Sequence, residues 1–236
     1  MKSSPGKNSA EKKGKRILSS SPLEEGEKQK IAEPTIERLV QYQRFLEQLA
    51  AEGQKVVSSQ EMGEALSFKA SQVRKDLSYF GEIGKRGVGY HVDRLHKHIG
   101  SILSSPRQWS IALAGVGKLG QALLGYKPFQ NEKFQIKALF DHNPAKIGKE
   151  IRGIPCYSLE DAPRIVEEEK IEILILTVPA ESAQQVVGKV SEAEGIKGIL
   201  NFSPVSITVP DHILVYAVDI SVELEKLLFY LKHKES

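Results

Sequence analysis

In this 236-residue chain, the residues whose type and spacing best suit ligand chemistry are three glycines, in the run Gly115-Val116-Gly117-Lys118-Leu119-Gly120. An apolar segment, Trp109-Ser110-Ile111-Ala112-Leu113-Ala114, precedes them and a helix-like stretch follows. In a strand-to-helix turn the first glycine permits the tight bend. The second lets the backbone approach a pyrophosphate, the third lets the helix pack on its strand, and the helix N-terminus offers N–H groups to the anion. A second apolar run, Ile136-Lys137-Ala138-Leu139-Phe140, ends at Asp141. An acid roughly 20 residues beyond such a turn is placed to accept hydrogen bonds from an adenosine ribose. The expected ligand is therefore a dinucleotide, with NADH and NAD+ favoured over the phosphorylated pair because the carboxylate repels a 2′-phosphate. Lys146 stands close enough in sequence to belong to the same site.

Positioning these residues requires a sheet. Strand candidates are Ser110 to Ala114, Gln135 to Phe140, Ile154 to Tyr157, Ile173 to Val178, Gly198 to Phe202 and Ile213 to Val218, most of them apolar enough for burial on both faces. Helical stretches between the principal ones give the alternation of a doubly wound parallel sheet, an α/β class. Ligands sit beyond the carboxyl ends of such strands. Thr177, Val178 and Pro179 after the fourth candidate, and Asn201 at the end of the fifth, should therefore border the pocket.

A different pattern occupies the first hundred residues. Ile36, Leu39, Val40, Leu46 and Leu49 recur at helical steps from Pro34 and Thr35 to Gly53. Ser58 and Glu61 form a capping box for a short second helix. A third helix, about Ala70 to Phe80, places Val73, Leu77 and Phe80 on one face, with Ser71, Gln72, Arg74, Lys75, Ser78 and Tyr79 largely on the other. The glycines of Gly81 to Tyr90 are spaced for a hairpin with Lys85 and Arg86 at its tip. The outline is a winged helix-turn-helix. From Lys69 to Lys97 the cations outnumber Asp76, Glu82 and Asp93, so a near-neutral average hides a basic surface. Gln72, Arg74 and Lys75 are side chains that can read base edges from the major groove.

Composition narrows the alternatives. A net charge of +3 and 40% apolar residues describe an ordinary soluble protein with material for real cores. No run approaches the roughly 18 apolar residues of a membrane span and no secretory segment opens the chain, which favours a cytoplasmic location and no membrane partner. The single cysteine, Cys156, excludes an internal disulfide and a cysteine-built metal site, and fits a small packed residue better than a redox thiol. No metal is expected: His91, His96 and His98 read as helix positions at the domain join. Residues 1–32, rich in Lys, Glu, Ser and Gly, read as a disordered tail. Ser221 to His233 reads as a helix with Val222, Leu224, Leu227, Leu228, Phe229, Tyr230 and Leu231 around most of its circumference. Such a helix must be buried on nearly all sides, either in its own subunit or in a partner.

At Gln72 to Gly81, Arg86 to Tyr90, the glycine turn and Val218-Asp219-Ile220, the chain resembles the Rex family of NADH-responsive transcriptional repressors, over about Ile31 to Lys234. The resemblance implies a winged-helix DNA-binding domain at 33–107, a Rossmann domain at 108–218 and a C-terminal helix at 219–236 exchanged between the subunits of a homodimer. It implies a non-enzymatic repressor that binds palindromic double-stranded operator DNA when NADH is scarce and releases it on binding NADH. It also implies a switch in which Asp219 of one subunit exchanges hydrogen bonds between Tyr126, near the nicotinamide, and Arg44 of the first helix. Two positions depart from the family pattern: Lys69 stands where a hydroxyl cap is common, and Ile220 where some members place an aromatic.

Two rival readings use the same residues. An NAD-dependent oxidoreductase with an accessory helical domain would need an acid or base beside the nicotinamide. Tyr230 and Lys234 have a suggestive spacing but lie at the extreme C-terminus, and His142 should lie at the adenosine end. A coenzyme A module would place a phosphorylated ribose against Asp141. Neither explains the basic winged helix.

Overall fold

The computed structural model describes residues 31–81, 84, 88–104, 107–129 and 133–234; most of the tail and the wing tip with Lys85 and Arg86 lie outside them. The chain divides into two units, with the boundary between Pro106 and Arg107.

In the first unit, helix α1 (Glu33–Ala51) starts with Pro34 in its first turn, where the missing N–H costs nothing, and stops before Gly53. Its buried residues are Leu39, Tyr42, Leu46 and Leu49, a three-four-three spacing in which Tyr42 replaces the expected Val40, which is exposed. Strand β1 (Val56–Val57) leads to α2 (Ser59–Leu66), whose capping box is complete: Glu61 N–H donates to Ser58 Oγ at 3.0 Å and Ser58 N–H to Glu61 Oε2 at 2.6 Å. After a left-handed Ser67, α3 (Ala70–Ser78) follows Lys69 as its N-cap, which makes no side-chain capping bond. It ends two residues earlier than expected, where Ser78 Oγ donates to the Lys75 carbonyl at 2.9 Å. Strand β2 (Tyr90–His91) pairs antiparallel with β1. The ladder seen among the described residues joins Val56–Val57 to Tyr90–His91; the hairpin expected within Gly81–Tyr90 lies mostly outside the described residues. Helix α4 (Val92–Leu103) completes this unit and buries Val92, Leu95 and Ile99 against the α1 core.

The second unit is one seven-stranded sheet. Its strands are β3 (Trp109–Ala114), β4 (Phe134–Asp141), β5 (Glu150–Ile151), β6 (Ile154–Ser158), β7 (Ile173–Leu176), β8 (Gly198–Asn201) and β9 (Leu214–Ala217), in the order β5-β6-β4-β3-β7-β8-β9. All neighbours are parallel except the short hairpin β5–β6, which the sequence reading missed. Without β5 the order is that of two mononucleotide-binding halves, reversing between β3 and β7. Helices α5 (Lys118–Leu124), α6 (Ala162–Glu168) and α7 (Ala180–Val190) fill three connections. The links β4 to β6 and β8 to β9 contain none, so alternation with helices is less regular than expected. Leu113, Leu139 and Ile175 face one apolar layer, Ala112, Phe140 and Leu176 the other, which is why these strands read as near-continuous apolar runs.

Helix α8 (Ile220–Lys234) differs from all the others. Every side chain from Ile220 to His233 is exposed, Leu224 and Leu228 at 56% and Phe229 at 59%, and Leu214 and Tyr216 on β9 are exposed too. Packing of α8 wholly within its own subunit is therefore not what this fold provides.

Candidate functional site

The turn after β3 is built as its glycines require. Gly115 has φ +93°, and a Cβ there would meet the Thr177 carbonyl oxygen at 2.6 Å. A Cβ on Gly120 would strike the Gly115 carbonyl oxygen, so the third glycine seats α5 on the turn. Gly117 is the exception: a Cβ there meets nothing within 4 Å. Gly117 is the N-cap of α5, and the open space beside it leaves room for the close backbone approach that a pyrophosphate would need. Gly117→Ala should accordingly fold with a melting temperature within a few degrees of the parent and bind NADH at least tenfold more weakly. Gly120→Ala should lose several degrees as well as binding. Thermal melts alongside NADH fluorescence titration separate the two, and unimpaired binding by Gly117→Ala would remove the pyrophosphate from this turn.

The neighbouring strand ends brace the turn. Thr177 Oγ1 lies 2.7 Å from the Gly115 carbonyl and 3.0 Å from that of Ala114. Ser203 Oγ donates to the Val178 carbonyl at 2.7 Å, and Asn201, 2% exposed, bridges the Ser203 N–H and the Val205 carbonyl. Thr177 and Val178 therefore lie against the Gly115 turn, between β3 and β7, while Asn201 ends β8 one strand further on. Asn201 serves there as a loop brace, and Ser203 is a support that the sequence reading passed over.

Asp141 ends β4, and its side chain is nearly buried. Its Oδ2 accepts the Val116 N–H at 2.9 Å and Lys146 Nζ at 2.8 Å, while Oδ1 accepts the Asn143 N–H at 2.9 Å. Burial works to raise the pKa, but the Lys146 ammonium and the two backbone donors outweigh it and hold the carboxyl below the ordinary aspartate value. A carboxylate has about four acceptor positions, so Oδ1 keeps room for a further donor such as a ribose hydroxyl. Lys146 also donates to the Val116 carbonyl at 2.8 Å, closing acid, lysine and glycine turn into one unit. The Lys146 charge is committed to Asp141, so it does not offer itself to a 2′-phosphate. Cys156, on β6 beside this site, is buried, and burial followed by the Asp141 charge pushes its thiol pKa up, which disfavours a thiolate.

Tyr126 follows α5, half exposed, with its ring edge-on to Phe129 at 5.7 Å. Asp219 precedes α8 and its Oδ1 accepts both the Ser221 N–H at 2.9 Å and Ser221 Oγ at 2.6 Å, the bonds that lower its pKa. Arg44 is exposed on α1, in the first unit. Within a single chain the structure does not join Tyr126 and Asp219 by a hydrogen bond. Lys118 and Leu119 are exposed at the start of α5, next to Gly117.

On α3, Ser71, Arg74, Lys75, Ser78 and Tyr79 are exposed together, with Arg74 Nη1 donating to Ser59 Oγ at 3.0 Å, which ties the arginine to the start of α2. Two assignments change. Asp76 is 3% exposed and ion-paired with Arg38 at 2.6 Å, so it does not offset the basic surface. Gln72 is partly buried and donates to Asp76 at 2.8 Å. Burial raises the pKa of Asp76, while the bonds from Arg38, Tyr42 and Gln72 lower it further, so the net shift is downward. A depressed carboxylate stabilises the fold above the ordinary aspartate pKa and loses that effect as pH falls through the folded value. The first unit should therefore melt steeply in acid, below about pH 4. Asp76→Asn should flatten that limb while costing on the order of 3 kcal/mol at neutral pH, because Arg38 is left unpaired; acid titration followed by circular dichroism checks both.

The histidines are accounted for locally: His96 Nε2 lies 2.9 Å from Gln43 Nε2 and His98 Nε2 lies 3.1 Å from the Phe80 carbonyl. Among the described residues no three metal-ligating side chains gather, and no helix is long and apolar enough to cross a membrane.

Comparison with known proteins finds matches to both units of the chain. Residues 30–78 match a family described as the N-terminus of putative DNA-binding proteins, and residues 106–205 a family described as a CoA binding domain. The redox-sensing transcriptional repressor Rex of Pelotomaculum thermopropionicum is 46% identical over 88% of this chain and 97% of its own length. Rex 1 of Thermotoga maritima is 44% identical over 88% and 99%. The crystal structure of RSP in complex with NAD+ and operator DNA superposes with a TM-score of 0.79 at 35% identity, over 88% of this chain and 95% of that one. The structure of RSP with NADH superposes at 0.78 and 34%, over 88% and 97%.

Proposed function

The chain belongs to the Rex family of redox-sensing transcriptional repressors, and from that premise we propose how its own residues divide the work of sensing and of DNA binding. It is a regulator and not an enzyme, with NADH and NAD+ as its ligands and operator DNA as its partner. The Gly115–Gly120 turn receives the pyrophosphate, Asp141 receives the adenosine ribose with Lys146 and Val116 holding it in place, and the crevice between β3 and β7 carries the dinucleotide toward Tyr126. Ser71, Gln72, Arg74, Lys75, Ser78 and Tyr79 on α3 face the major groove, with Lys85 and Arg86 of the wing on the adjoining phosphates. Two copies bind one palindromic operator, joined by exchange of α8, which also brings Asp219 to the partner's Tyr126 and to Arg44. The protein acts in the cytoplasm, where operator and dinucleotide meet.

The observation that carries this reading is a dinucleotide turn, at a sheet reversal, in the same chain as a basic helix-turn-helix. The coenzyme A alternative fits Asp141 poorly, since a 3′-phosphorylated ribose would meet a buried carboxylate whose lysine is already paired. The test is fluorescence anisotropy of a selected duplex at fixed salt, with NADH and then NAD+ titrated in; release by NADH far more than by NAD+ is the expected result, and equal response to both would overturn redox sensing. In the same assay, replacing Arg74 and Lys75 together by Ala should weaken operator binding at least a hundredfold and leave NADH affinity intact, at about 1–3 kcal/mol per lost base contact. Retained DNA affinity would remove α3 as the reading head.

A further inference from the structure

Asp76 lies in the middle of α3, flanked by Lys75 and Leu77, yet faces inward. Four donors meet its carboxylate. Arg38 Nε reaches Oδ2 at 2.6 Å and Arg38 Nη2 reaches Oδ1 at 2.8 Å; Tyr42 Oη–H donates to Oδ2 at 2.9 Å and Gln72 Nε2 to Oδ1 at 2.8 Å. Arg38 Nη2 is held in turn by Thr35 Oγ1 at 3.1 Å. Each oxygen accepts two bonds, so the acceptor capacity of the carboxylate is filled from within the chain. A saturated network of this kind, with three of its four donors on α1, fixes one arrangement of α3 and its side chains.

One of the four donors sits on the surface assigned to DNA. An amide can usually be turned end for end, but a carboxylate only accepts, so the Gln72 NH2 group must face Asp76 and Oε1 must be turned from it. Glutamine reads adenine by donating and accepting at once. With one N–H on Asp76, Gln72 keeps its second N–H and Oε1 for that pairing, in an orientation set before DNA arrives, which spares the ordering cost of a free side chain.

We propose that Asp76, clamped by Arg38 and Tyr42, is a positioning residue for sequence discrimination: it presets the polarity of the Gln72 amide, so that α3 reads one base pair of each half-site through that side chain. The proposal rests on the assignment of α3 to the major groove. It makes a prediction distinct from a general scaffold role, since a loosened scaffold would blur every base pair alike.

The experiment uses full-length protein and a duplex selected from random sequence, with each base pair then replaced singly and affinities compared at fixed salt. Gln72→Ala should relax discrimination at one base pair per half-site by about tenfold, within the range for a bidentate contact. Asp76→Asn should relax the same base pair and no other, and should add nothing in the Gln72→Ala background. The double variant Arg38→Met with Asp76→Leu replaces the buried ion pair by apolar groups, a change such sites often tolerate, and should show the same single loss even if Asp76→Asn folds poorly. Full discrimination in a folded Asp76 variant, or an equal loss at every base pair, would overturn the proposal. If Gln72→Ala relaxes no base pair while Arg74→Ala does, α3 still reads DNA and only the Gln72 proposal fails; if neither does, the assignment of α3 itself is at fault.

Discussion

Leu224→Glu, Leu227→Glu and Leu228→Glu combined should yield a folded chain that no longer self-associates and binds operator at least a thousandfold more weakly. Glutamate is a good helix former, so α8 keeps its backbone preference while losing its apolar surface. In the single chain these leucines are between 53% and 56% exposed, so the substitutions remove nothing from either core. A dimer with exchanged helices would bury the exposed half of each leucine, at roughly 1 kcal/mol apiece. The six across its two helices would account for about 6 kcal/mol before the cost of burying the new charges, and each 1.4 kcal/mol is a factor of ten in affinity. Operator binding follows association, because two linked reading heads gain effective concentration that one alone lacks. Sedimentation and anisotropy on the same preparations decide it: a dimer of parental strength would show that α8 is not the dimer element, and a monomer with full operator affinity would separate dimerisation from DNA binding.

The elements legible in the sequence were those with one dominant local signal. Gly115 and Gly120 identified their turn because its geometry leaves few substitutes, and Asp141 could be placed because it ends an apolar strand at a fixed spacing. Ser58 and Glu61 announced α2 because a capping box is contained in four residues. What escaped was tertiary. Asp76 read as a surface acid since its partners Arg38 and Tyr42 lie far off in α1. The signal available was Tyr42 itself, which completes the Leu39, Leu46, Leu49 spacing and brings a hydroxyl into the core, where it needs an acceptor. Strand β5 is two residues long and its turn passes through Arg152 at φ +55° and Gly153 at φ +76°, too short for any periodicity. The all-round apolar character of α8 announced burial but not by what, since a self-packed and an exchanged helix look alike in sequence; its exposure in the single chain removes only the first.

Asp219→Asn should leave operator affinity within a few-fold of the parent in the absence of dinucleotide and abolish most of the NADH-driven release. Coupling between two ligands is a free energy that exists only where each prefers a different state of the protein, so removing the group that changes partners should bring the ratio of affinities with and without NADH toward one. Asp219 has the chemistry for this. It is exposed, and its pKa is lowered by hydrogen bonds from the Ser221 side chain and backbone and from the Val222 backbone. In the proposed switch, Tyr126 and Arg44 would be its alternative donors, and such a carboxylate would respond to a nicotinamide ring that is positive when oxidised and neutral when reduced. Asparagine keeps an oxygen for Ser221 and so preserves the start of α8, whereas alanine would also lose about 1 kcal/mol of helix capping. Arg44→Ala, at an exposed position that no core depends on, should weaken the same coupling without moving the melting temperature. Wild-type NADH sensitivity in Asp219→Asn would place the switch elsewhere; loss of sensitivity in Asp219→Asn but not in Arg44→Ala would keep the aspartate and replace its partner on the first unit.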